Sequence, residues 1–441
     1  MYPNCNLQRN IATFGITDID TFKQQMLAWV NQFSICCFLD NHHYKQAYDG
    51  YECLVGAGAS QVFAPTNNAI EQLKQFCKGH SDWLFGSLSY GLKNEIEGLV
   101  PSPPIDTQFP TVFLFQPSVV IELAGGVATI SSLTLPPSEV FGQICQYRPP
   151  EKTTIKNIAI KPRINKAAYI EVVKQIKAHI QKGDCYELNF CQEFYDDNVY
   201  INPVSAYNAL ALVSPTPFGC FYKVKDNYLL CASPERYLKK IGDTIASQPI
   251  KGTARRNNSN ADDDEGIKRA LQASEKERSE NVMVVDLVRN DLSKICMEGS
   301  VTVPELFGLY TFPQVHQLIS TIAGVLQPGI GFADIIQATF PMGSMTGAPK
   351  RRVMELIEKY ETTPRGLFSG AVGYIKPGGD FDFNVVIRSI FYNTHTRYLN
   401  YFVGGGITFY SDPEREYEEC LLKAEAIKQV LTQKSPALLQ G

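Results

Sequence analysis

The sequence predicts a mixed α+β fold, and three observations support this fold class. Segments with the apolar pattern of strands and segments with helical periodicity follow one another in irregular order, which favours α+β over a regularly alternating α/β arrangement. No internal repeat is found along the chain. The length of 441 residues, with 44 % hydrophobic and 20 % charged residues, is sufficient to bury a large core.

The N-terminal part of the chain mixes short apolar runs with one helical stretch. The apolar runs lie at 34–39 and 84–88, and the helical stretch lies near 69–76. Residues 109–116 and 118–123 have the composition and pattern of strands.

A segment with little periodicity, at 132–163, separates this part from the rest. It contains several prolines, which favour turns and irregular backbone, and we interpret it as the connection between two regions. The sequence therefore predicts an N-terminal region at 1–150 and a second region at 160–435. The prolines in question are Pro136, Pro137, Pro149, Pro150 and Pro162.

The second region has sharper patterns. Apolar residues such as Ala168, Ile176 and Ile180 form a stripe on one face of a helix that begins after Asn165, and Gly183 ends it. The other expected elements are strands at 186–194, 219–224, 228–232, 370–375, 383–390 and 397–403, a polar loop at 255–266, and helices from 267 towards 289 and from 413 to 431.

Charge and composition exclude several classes of function. A formal net charge of −4 and a pI near 6.0 argue against the broad basic surface of a sequence-independent nucleic-acid binder. The N-terminus lacks a basic start followed by an apolar segment, and no run of 18 apolar residues occurs. The twelve cysteines show no paired metal-ligand spacing. We therefore expect a cytoplasmic protein with reduced thiols, no membrane insertion and no nucleic-acid partner.

Two Glu-x-x-Glu pairs, Glu277 with Glu280 and Glu416 with Glu419, each lie within a predicted helix. Residues three apart project from the same face of a helix. Four carboxylates in one cleft would repel each other unless a cation neutralised them, and hard oxygen ligands suit Mg²⁺. Such pairs are also common on solvated helices, so the spacing alone leaves a metal site and a surface role open.

Glycines and an arginine in the tail offer places to bind an anion. Gly404, Gly405 and Gly406 follow an apolar strand, and their bare N–H groups could approach a ligand closely. A tight turn or bulge is the alternative. Arg388 lies in the predicted strand 383–390, where an arginine must be paired or must face a ligand cavity. A structural ion pair and carboxylate binding are equally compatible with this position.

A lysine and a glutamate in the middle of the chain are candidates for catalysis. Lys251 stands in PIKGT (249–253) with Arg255 and Arg256 close behind. Most lysines are solvated, but burial and nearby cations lower the pKa of an amine, and a neutral amine is a nucleophile. Glu235, in SPER (233–236), is either a surface carboxylate or, if burial raises its pKa, a general acid.

Taken together and in this order, the motifs of the second region resemble the chorismate-binding family. This family includes anthranilate synthase component I, aminodeoxychorismate synthase component I, and isochorismate and salicylate synthases. The matching motifs are GDCYELNF (183–190), SPER (233–236), PIKGT (249–253), ENVMVVDLVRNDL (280–292), FPMGSMTGAPK (340–350), SGAVGY (369–374), FNVVIRS (383–389) and GGGITFYSDPEREYEECLLKA (404–424).

The resemblance implies an anthranilate-synthase-like fold, with β-sheets packed together, helices outside, and a chorismate-binding catalytic domain at 160–435. It also implies that chorismate is the substrate and Mg²⁺ the cofactor. Glu280 and Glu419 would bind the metal, which holds the ring carboxylate, and Glu277 and Glu416 would support them. Thr253 would lie near the ring. The residues expected to grip the enolpyruvyl carboxylate are Arg388, Tyr374 and the backbone around Gly405.

Within the family, Lys251 favours the aminating branch that produces 4-amino-4-deoxychorismate. Anthranilate synthases resemble this chain but carry Ala at this position, whereas PIKGT is the pattern of aminodeoxychorismate synthases. The implied mechanism is attack of Lys251 on C2 while Glu235 protonates the departing C4 hydroxyl, followed by attack of ammonia on C4. The pathway is p-aminobenzoate and folate biosynthesis.

Two departures bear on this assignment. Gln317 replaces a His that anthranilate synthases use for pyruvate elimination, although His316 lies next to it. Glu187 replaces the Lys that activates water in isochorismate-type members, which disfavours addition of water. Anthranilate synthase component I remains the alternative, and a non-catalytic metabolite-binding protein is a third hypothesis. No amidotransferase motif is found, so the ammonia must come from solution or from a separate glutamine amidotransferase subunit, which we expect as a partner.

Overall fold

A computed structural model describes residues 8–44, 51–100, 109–148, 158–312 and 315–432. Within these residues no helix is long and apolar enough to cross a membrane. Strands and helices are interspersed along the chain, and every pairing of the strands that we describe is antiparallel. The predicted α+β class is therefore confirmed.

The strands of the described residues are numbered in chain order. They are β1 (Asn10–Gly15), β2 (Ile35–Asp40), β3 (Cys53–Phe63), β4 (Leu84–Leu88), β5 (Val112–Ala124), β6 (Val127–Ser132), β7 (Lys161–Pro162), β8 (Glu187–Asp196), β9 (Phe218–Val224), β10 (Asn227–Ser233), β11 (Arg236–Ile241), β12 (Thr244–Gln248), β13 (Ile250–Arg255), β14 (Thr302–Thr311), β15 (Val315–Val325), β16 (Gly347–Ala348), β17 (Ala371–Ile375), β18 (Phe381–Val385), β19 (Ser389–Asn393) and β20 (Leu399–Ile407).

The helices of the same residues are numbered in the same way. They are α1 (Ile19–Val30), α2 (Ala69–Lys78), α3 (Leu92–Glu97), α4 (Pro137–Gln146), α5 (Lys166–Gln181), α6 (Pro203–Val213), α7 (Ala261–Ala273), α8 (Glu275–Ser293), α9 (Phe332–Thr339), α10 (Lys350–Tyr360), α11 (Pro413–Lys423) and α12 (Glu425–Thr432).

Most of the strands form two series of neighbours that share β5; β6 and β1 continue from β5, and β7 and β16 pair with β8. One series runs β5, β3, β2, β9, β10, β19, β20, β8. The other runs β5, β4, β17, β18, β11, β12, β15, and β13 and β14 also pair with β15. Strands β8 and β20 at one end and β13 and β15 at the other contribute to the same cavity. The far ends of both series therefore meet at the site described below.

Two hydrophobic cores lie on opposite faces of the first series. Adjacent residues of a strand point to opposite faces, and accordingly Tyr222 of β9 packs in one core and Phe221 in the other. The first core joins both series, since it also contains Phe85 of β4 and Phe383 of β18. The second core packs strands against outer helices, for example Tyr169 of α5.

Strands of the predicted N-terminal region pair with strands of the predicted second region. Strand β2 pairs with β9, and β4 pairs with β17, so the hydrogen-bonded ladder runs from one region into the other. The boundary between 1–150 and 160–435 stays a prediction. Residues 149–157, including Pro149 and Pro150, lie outside the described residues.

The interpretation of 132–163 as a plain connection is wrong in part, because α4 lies within it. Pro137 occupies the start of this helix, where the missing N–H of proline costs no hydrogen bond, and Val140 and Ile144 bury one face. The polar loop expected at 255–266 is likewise too long. Asn260 caps α7, whose first turn therefore begins inside the expected loop.

Several predicted elements have the right type and the wrong extent. The two strands expected at 109–116 and 118–123 form the single strand β5. The helical tract from 267 towards 289 consists of α7 and α8, and Ser274 is both the C-cap of the first and the N-cap of the second. The helix expected from 413 to 431 is divided at Ala424 into α11 and α12.

The strand expected at 383–390 is also wrong, and this error affects the site. The chain leaves β18 after Val385 and enters β19 at Ser389. Arg388, between them, has a φ of 51°, a left-handed conformation that is unfavourable for a residue with a side chain. Arg388 therefore stands at a break between two strands and not inside one.

Candidate active site

One cavity of about 200 Å³ is lined by nine of the ten candidate site residues. Its walls come from β13, β20, α8, α11, the segment between β10 and β11, and the break between β18 and β19. Residues more than 180 positions apart in the chain therefore meet in one place. The nine residues are Glu235, Lys251, Thr253, Glu277, Glu280, Arg388, Gly405, Glu416 and Glu419.

Lys251 extends from β13 and forms an ion pair with Glu187, the first residue of β8. The Nζ of Lys251 lies 2.5 Å from Oε1 of Glu187, and the exposed fractions of the two side chains are 10 % and 2 %. Burial by itself lowers the pKa of the amine, but the carboxylates of Glu187 and Glu280 outweigh it and raise the pKa of Lys251 above its ordinary value. Lys251 therefore carries a proton near neutral pH.

The expectation that nearby cations lower the pKa of Lys251 is therefore wrong for this state. Arg256 pairs instead with Asp264, with 2.9 Å between guanidinium and carboxylate. Arg255 lies 3.5 Å from Glu425, and both of these side chains are about half exposed. The charges that act most strongly on Lys251 are carboxylates, and both arginines pair with acidic residues elsewhere.

The backbone of Lys251 is held by Asn281 of α8. The amide of Asn281 donates to the carbonyl of Lys251 at 3.4 Å and accepts a hydrogen bond from Ser320 of β15 at 2.6 Å. Gly252, with a φ of 94°, turns the chain next to Lys251, and a Cβ there would lie 3.2 Å from a carboxylate oxygen of Glu277. This glycine therefore allows α8 to approach β13 closely.

Glu235 is buried, and its carboxylate faces the cavity. Ser344 donates a hydrogen bond to Oε1 of Glu235 at 2.5 Å. Burial raises the pKa of Glu235 to about 7, although Ser344 and the charges of Lys251 and Arg388 act in the opposite direction. A carboxyl group with this pKa carries a proton about half of the time near neutral pH, as a general acid requires.

Arg388 lines the cavity from the break between β18 and β19. Its guanidinium makes no hydrogen bond to a described residue, and its carbonyl accepts from the backbone N–H of Ala232 at 3.2 Å. Burial lowers the pKa of Arg388 to about 10, against the influence of Glu235, and the group remains a cation near neutral pH. A partly buried cation with free donors beside a cavity is suited to binding an anion.

The four carboxylates of the Glu-x-x-Glu pairs lie along one wall and alternate with two lysines. Lys276 of α8 lies 3.3 Å from Glu416 and 3.8 Å from Glu280. Lys423 of α11 lies 2.8 Å from Glu419 and donates to the carbonyl of Gly404 at 3.0 Å. The ammonium groups of Lys276 and Lys423 therefore balance part of the negative charge of this wall.

The carboxyl groups of this wall have raised pKa values on α8 and a lowered one on α11. Burial raises the pKa of Glu280 to about 7 and also raises the pKa of Glu277. Lys423 lowers the pKa of Glu419 to about 2. In the part of the chain that is described, no three acidic, His or Cys side chains are arranged to hold a metal together. The donor type nevertheless fits Mg²⁺, and Oε1 of Glu280 is buried without a hydrogen-bond partner among these residues.

Residues 316 and 317 of β15 point to opposite sides. Gln317 lines the cavity and donates to Thr253 at 3.2 Å. His316 is fully buried, with its ring nitrogens 2.9 Å from Asp264 and 3.0 Å from Thr311. His316 therefore faces away from the cavity and is not a substitute for a catalytic histidine at position 317.

The sequence profile of the family described as "chorismate binding enzyme" matches residues 35–429 of the chain. The chain belongs to the chorismate binding enzyme family. Its relatives include an aminodeoxychorismate synthase of Streptomyces pristinaespiralis, 42 % identical over 266 residues, which are 60 % of this chain and 36 % of that protein. Another is aminodeoxychorismate synthase component 1 of Klebsiella aerogenes, 32 % identical over 356 residues, 79 % of this chain and 77 % of that protein.

Chorismate binding enzymes of known structure share the fold. Anthranilate synthase component I of Streptococcus pneumoniae TIGR4 superposes with a TM-score of 0.75 over 87 % of this chain and 94 % of that chain, at 23 % identity. This similarity confirms the predicted anthranilate-synthase-like fold. The chain spans little more than a third of the Streptomyces protein, since the alignment covers 36 % of it.

Tyr374 is the one candidate site residue that the structure does not bring to the cavity of this chorismate binding enzyme. It lies in β17, with its side chain almost fully buried. Its ring packs with its centroid 5.9 to 6.2 Å from those of Tyr51, Trp83 and Phe85. Strand β17 belongs to the second series of strands, and Tyr374 extends into an aromatic cluster under the N-terminal part of the chain.

The sequence interpretation assigned no role to four polar residues at the site. Lys276 and Lys423 pair with the carboxylates, Ser344 bonds Glu235, and Asn281 holds the backbone of Lys251. Three of them lie within motifs that match the chorismate binding family: Asn281 in ENVMVVDLVRNDL, Ser344 in FPMGSMTGAPK and Lys423 in the final segment. The motif match was thus the available signal, whereas the pairings themselves depend on long-range contacts.

Proposed function

We propose that the chain catalyses amination of chorismate at C4, giving 4-amino-4-deoxychorismate for p-aminobenzoate and folate synthesis in the cytoplasm. The observation that carries the proposal is that a buried amine, Lys251, and a carboxyl with a raised pKa, Glu235, line the same cavity. The names of the Streptomyces and Klebsiella relatives agree with this reaction.

Lys251 and Glu235 supply a nucleophile and an acid. The neutral amine of Lys251 attacks C2 of chorismate, the ring double bonds shift, and the C–O bond at C4 breaks. Glu235 gives its proton to the departing hydroxyl, which leaves as water. Ammonia then attacks C4, the double bonds shift back, and the bond from C2 to the lysine nitrogen breaks. Lysine is regenerated, and the amino group remains at C4.

The pKa of Glu235 supports its role as the acid. A carboxyl with an ordinary pKa is ionised near neutral pH and has no proton to give, whereas the pKa of about 7 leaves Glu235 partly protonated. Ser344 fixes the direction of the carboxyl, because its hydroxyl occupies Oε1 and leaves the other oxygen for the substrate.

Two anionic ends of chorismate require two cationic positions. The guanidinium of Arg388 and the backbone at Gly405 would hold the enolpyruvyl carboxylate. Glu280 and Glu419, supported by Glu277 and Glu416, would hold Mg²⁺, which when bound supplies positive charge for the ring carboxylate. Thr253 lies at the edge of the same cavity, where the ring would lie.

Ammonia would come from a separate glutamine amidotransferase subunit. The name of the Klebsiella relative, component 1, implies a second component for that protein. Anthranilate synthesis is the alternative reaction for the same cavity. Gln317 disfavours anthranilate synthesis, because an amide cannot serve as the acid–base group for pyruvate elimination. His316 faces the opposite side of β15.

The test is to incubate the purified chain with chorismate, Mg²⁺ and ammonium, and to identify the product by mass and fluorescence. We expect 4-amino-4-deoxychorismate with ammonium, and no product with glutamine until an amidotransferase subunit is added. Anthranilate as the product, or glutamine-driven turnover by the chain alone, would contradict the proposal. Free p-aminobenzoate should require a separate lyase.

The covalent route is tested with Lys251→Ala. A quenched reaction without ammonia should show a mass adduct on the peptide that contains Lys251, and the variant should lose it. The rate of 4-amination should fall roughly 100-fold or more, because covalent catalysis replaces one difficult displacement by two easier ones. The control is Lys268→Ala, which removes a lysine of α7 that pairs with Glu265 and lies outside the cavity. A Lys251→Ala variant with wild-type rate and 4-amino product would rule out the covalent route.

A further inference from the structure

Glu187 has a position in the site that the reaction as described does not use. It begins β8, and its neighbours along the ladder fix it from both sides. Ala348 of β16 pairs directly with Glu187, and Ile407 of β20 pairs with the next residue, Leu188. The carboxylate is therefore held on rigid strands behind Lys251, and its side chain is only 2 % exposed.

The hydrogen bonding of Glu187 is incomplete. Oε1 accepts from Lys251 at 2.5 Å, whereas Oε2 is buried and has no hydrogen-bond partner among the described residues. A buried acceptor without a hydrogen-bond partner destabilises the folded state, and a buried ion pair is poor evidence of a stabilising role. Such a group in a native site calls for a functional explanation.

The fold also keeps space clear for this pair. A Cβ on Gly406 of β20 would lie 2.4 Å from Oε1 of Glu187 and 2.9 Å from Nζ of Lys251. The absence of a side chain at position 406 thus permits the two charged groups to meet against the strand.

A lysine nucleophile needs a base that removes its proton. Lys251 is protonated in the free state, and an ammonium group has no lone pair with which to attack carbon. A base must take the proton within hydrogen-bond distance. Six charged groups interact electrostatically with Lys251: Glu187 from β8, Glu235 from the segment before β11, Glu277 and Glu280 from α8, and Glu419 and Lys423 from α11. Lys276, Arg388 and Glu416 also line the cavity.

Among these groups only Glu187 makes a hydrogen bond with the amine. Glu235 is needed in its protonated form for the leaving hydroxyl, and its oxygen is already bonded to Ser344. Glu419 pairs with Lys423 at 2.8 Å. The acceptor of the lysine proton is therefore found on β8.

We propose that Glu187 is the general base that removes the proton from Lys251, so that the amine can attack C2 of chorismate. This inference rests on the proposed lysine mechanism. One N–H bond of the ammonium breaks, its electron pair stays on nitrogen, and an O–H bond forms on Glu187. After attack, the secondary ammonium on C2 carries the positive charge. When ammonia displaces the lysine, the amine departs with its electron pair, and Glu187 returns the proton to it.

The experiment is the time course of the Lys251 adduct without ammonia, in wild type, Glu187→Gln and Glu187→Asp. Glutamine keeps the size and an oxygen acceptor but cannot take a proton. We expect adduct formation in Glu187→Gln to slow by about 100-fold or more, the range typical of a general base. Glu187→Asp should recover part of the rate. Glu193→Gln, which removes another buried carboxylate of β8 outside the cavity, should keep the wild-type rate in its folded fraction.

A double-variant cycle separates this role from a structural one. If Glu187 acts through Lys251, adding Glu187→Gln to Lys251→Ala should change the remaining direct amination less than threefold. A wild-type adduct rate in Glu187→Gln would overturn the inference while leaving the covalent mechanism intact. An equal loss in both backgrounds would overturn it as well, since Glu187 would then act on folding or substrate binding. Absence of any adduct in the wild type would overturn the covalent mechanism and this inference together.

Discussion

The three glycines of β20 provide a graded test of the site, because an added methyl group meets a different obstacle at each one. At Gly406 the methyl would lie 2.4 Å from Oε1 of Glu187, whereas ordinary contacts of a Cβ are longer than about 3.4 Å. The carboxylate must therefore retreat by about 1 Å. It is the end of a flexible side chain, and the backbone of β20 can stay in place.

The consequence for catalysis follows from the geometry of the pair. The methyl would also lie 2.9 Å from Nζ of Lys251, so that Gly406→Ala displaces the nucleophile and its partner together. A misplacement of about 1 Å from the attacking geometry costs on the order of 100-fold in rate. We expect Gly406→Ala to fold and to form the Lys251 adduct about 100-fold more slowly than the wild type.

The neighbouring glycines give opposite expectations for the fold. At Gly404 the methyl would lie 2.2 Å from the carbonyl oxygen of Phe190, which is backbone of the paired strand and cannot move aside. Gly404→Ala should separate β8 from β20 and lower stability by more than the 1–3 kcal/mol that overpacking typically costs, about 3 kcal/mol or more. At Gly405 the nearest atom is Nζ of Lys423 at 3.4 Å, and Gly405→Ala should unfold like the wild type.

The assay combines thermal unfolding, followed by circular dichroism, with the mass-detected adduct time course. The reasoning fails if Gly406→Ala forms the adduct at the wild-type rate, because the Glu187–Lys251 pair would then tolerate the displacement. It also fails if Gly404→Ala and Gly405→Ala unfold at the same temperature, since the distance to backbone would not decide stability.

Two further predictions concern the acid and the metal. Glu235 donates a proton in its protonated form, so the rate of adduct formation should decline as the pH rises through about 7. Ser344→Ala removes a hydrogen bond that lowers the pKa of Glu235. In the pH–rate profile of this variant the decline should therefore move to higher pH. A decline at the same pH in both proteins would exclude Glu235 as the group observed. Product formation should require Mg²⁺ and should be lost in Glu280→Ala or Glu419→Ala. The control Glu418→Ala, at an exposed position of α11, should behave as the wild type. Full turnover in excess EDTA would contradict the metal requirement.

Elements with strong local signals could be predicted from the sequence, and those decided by distant contacts could not. The apolar stripe and Gly183 gave α5 within two residues, and the apolar run at 84–88 corresponds to β4. The break at Arg388 has no local signal, because FNVVI before it is apolar except for Asn384 and is typical of one strand. Its left-handed backbone depends on the pairing of β18 with β11 and of β19 with β10.

Two other errors had local signals that were outweighed. The start of α7 is marked by Asn260 followed by Asp262, Asp263 and Asp264, a cap and an acidic first turn, but the polarity of the segment favoured a loop. The start of α4 is marked by Pro137 at a first helical position, but several nearby prolines favoured irregular structure.

Most of the site could be predicted because the motifs name its residues, while the connections between them could not. Lys251 and Glu187 are 64 positions apart, and Lys276 and Glu416 are 140 positions apart. No periodicity within a helix or strand encodes such pairs. A motif match can also assign a residue to the site wrongly. Tyr374 belongs to a matching motif but lies in an aromatic cluster outside the cavity.

The charge balance of the cavity explains why its dianionic substrate would need a cation. The carboxylates that line the cavity or lie directly behind it outnumber the cations by two when all are ionised, and a dianion would therefore be repelled. Partial protonation of Glu235 and Glu280 reduces this excess but does not reverse it. A divalent cation held by Glu280 and Glu419 would balance it and would supply positive charge for the ring carboxylate. Substrate binding and metal binding should thus be coupled, each raising the affinity for the other by the same factor.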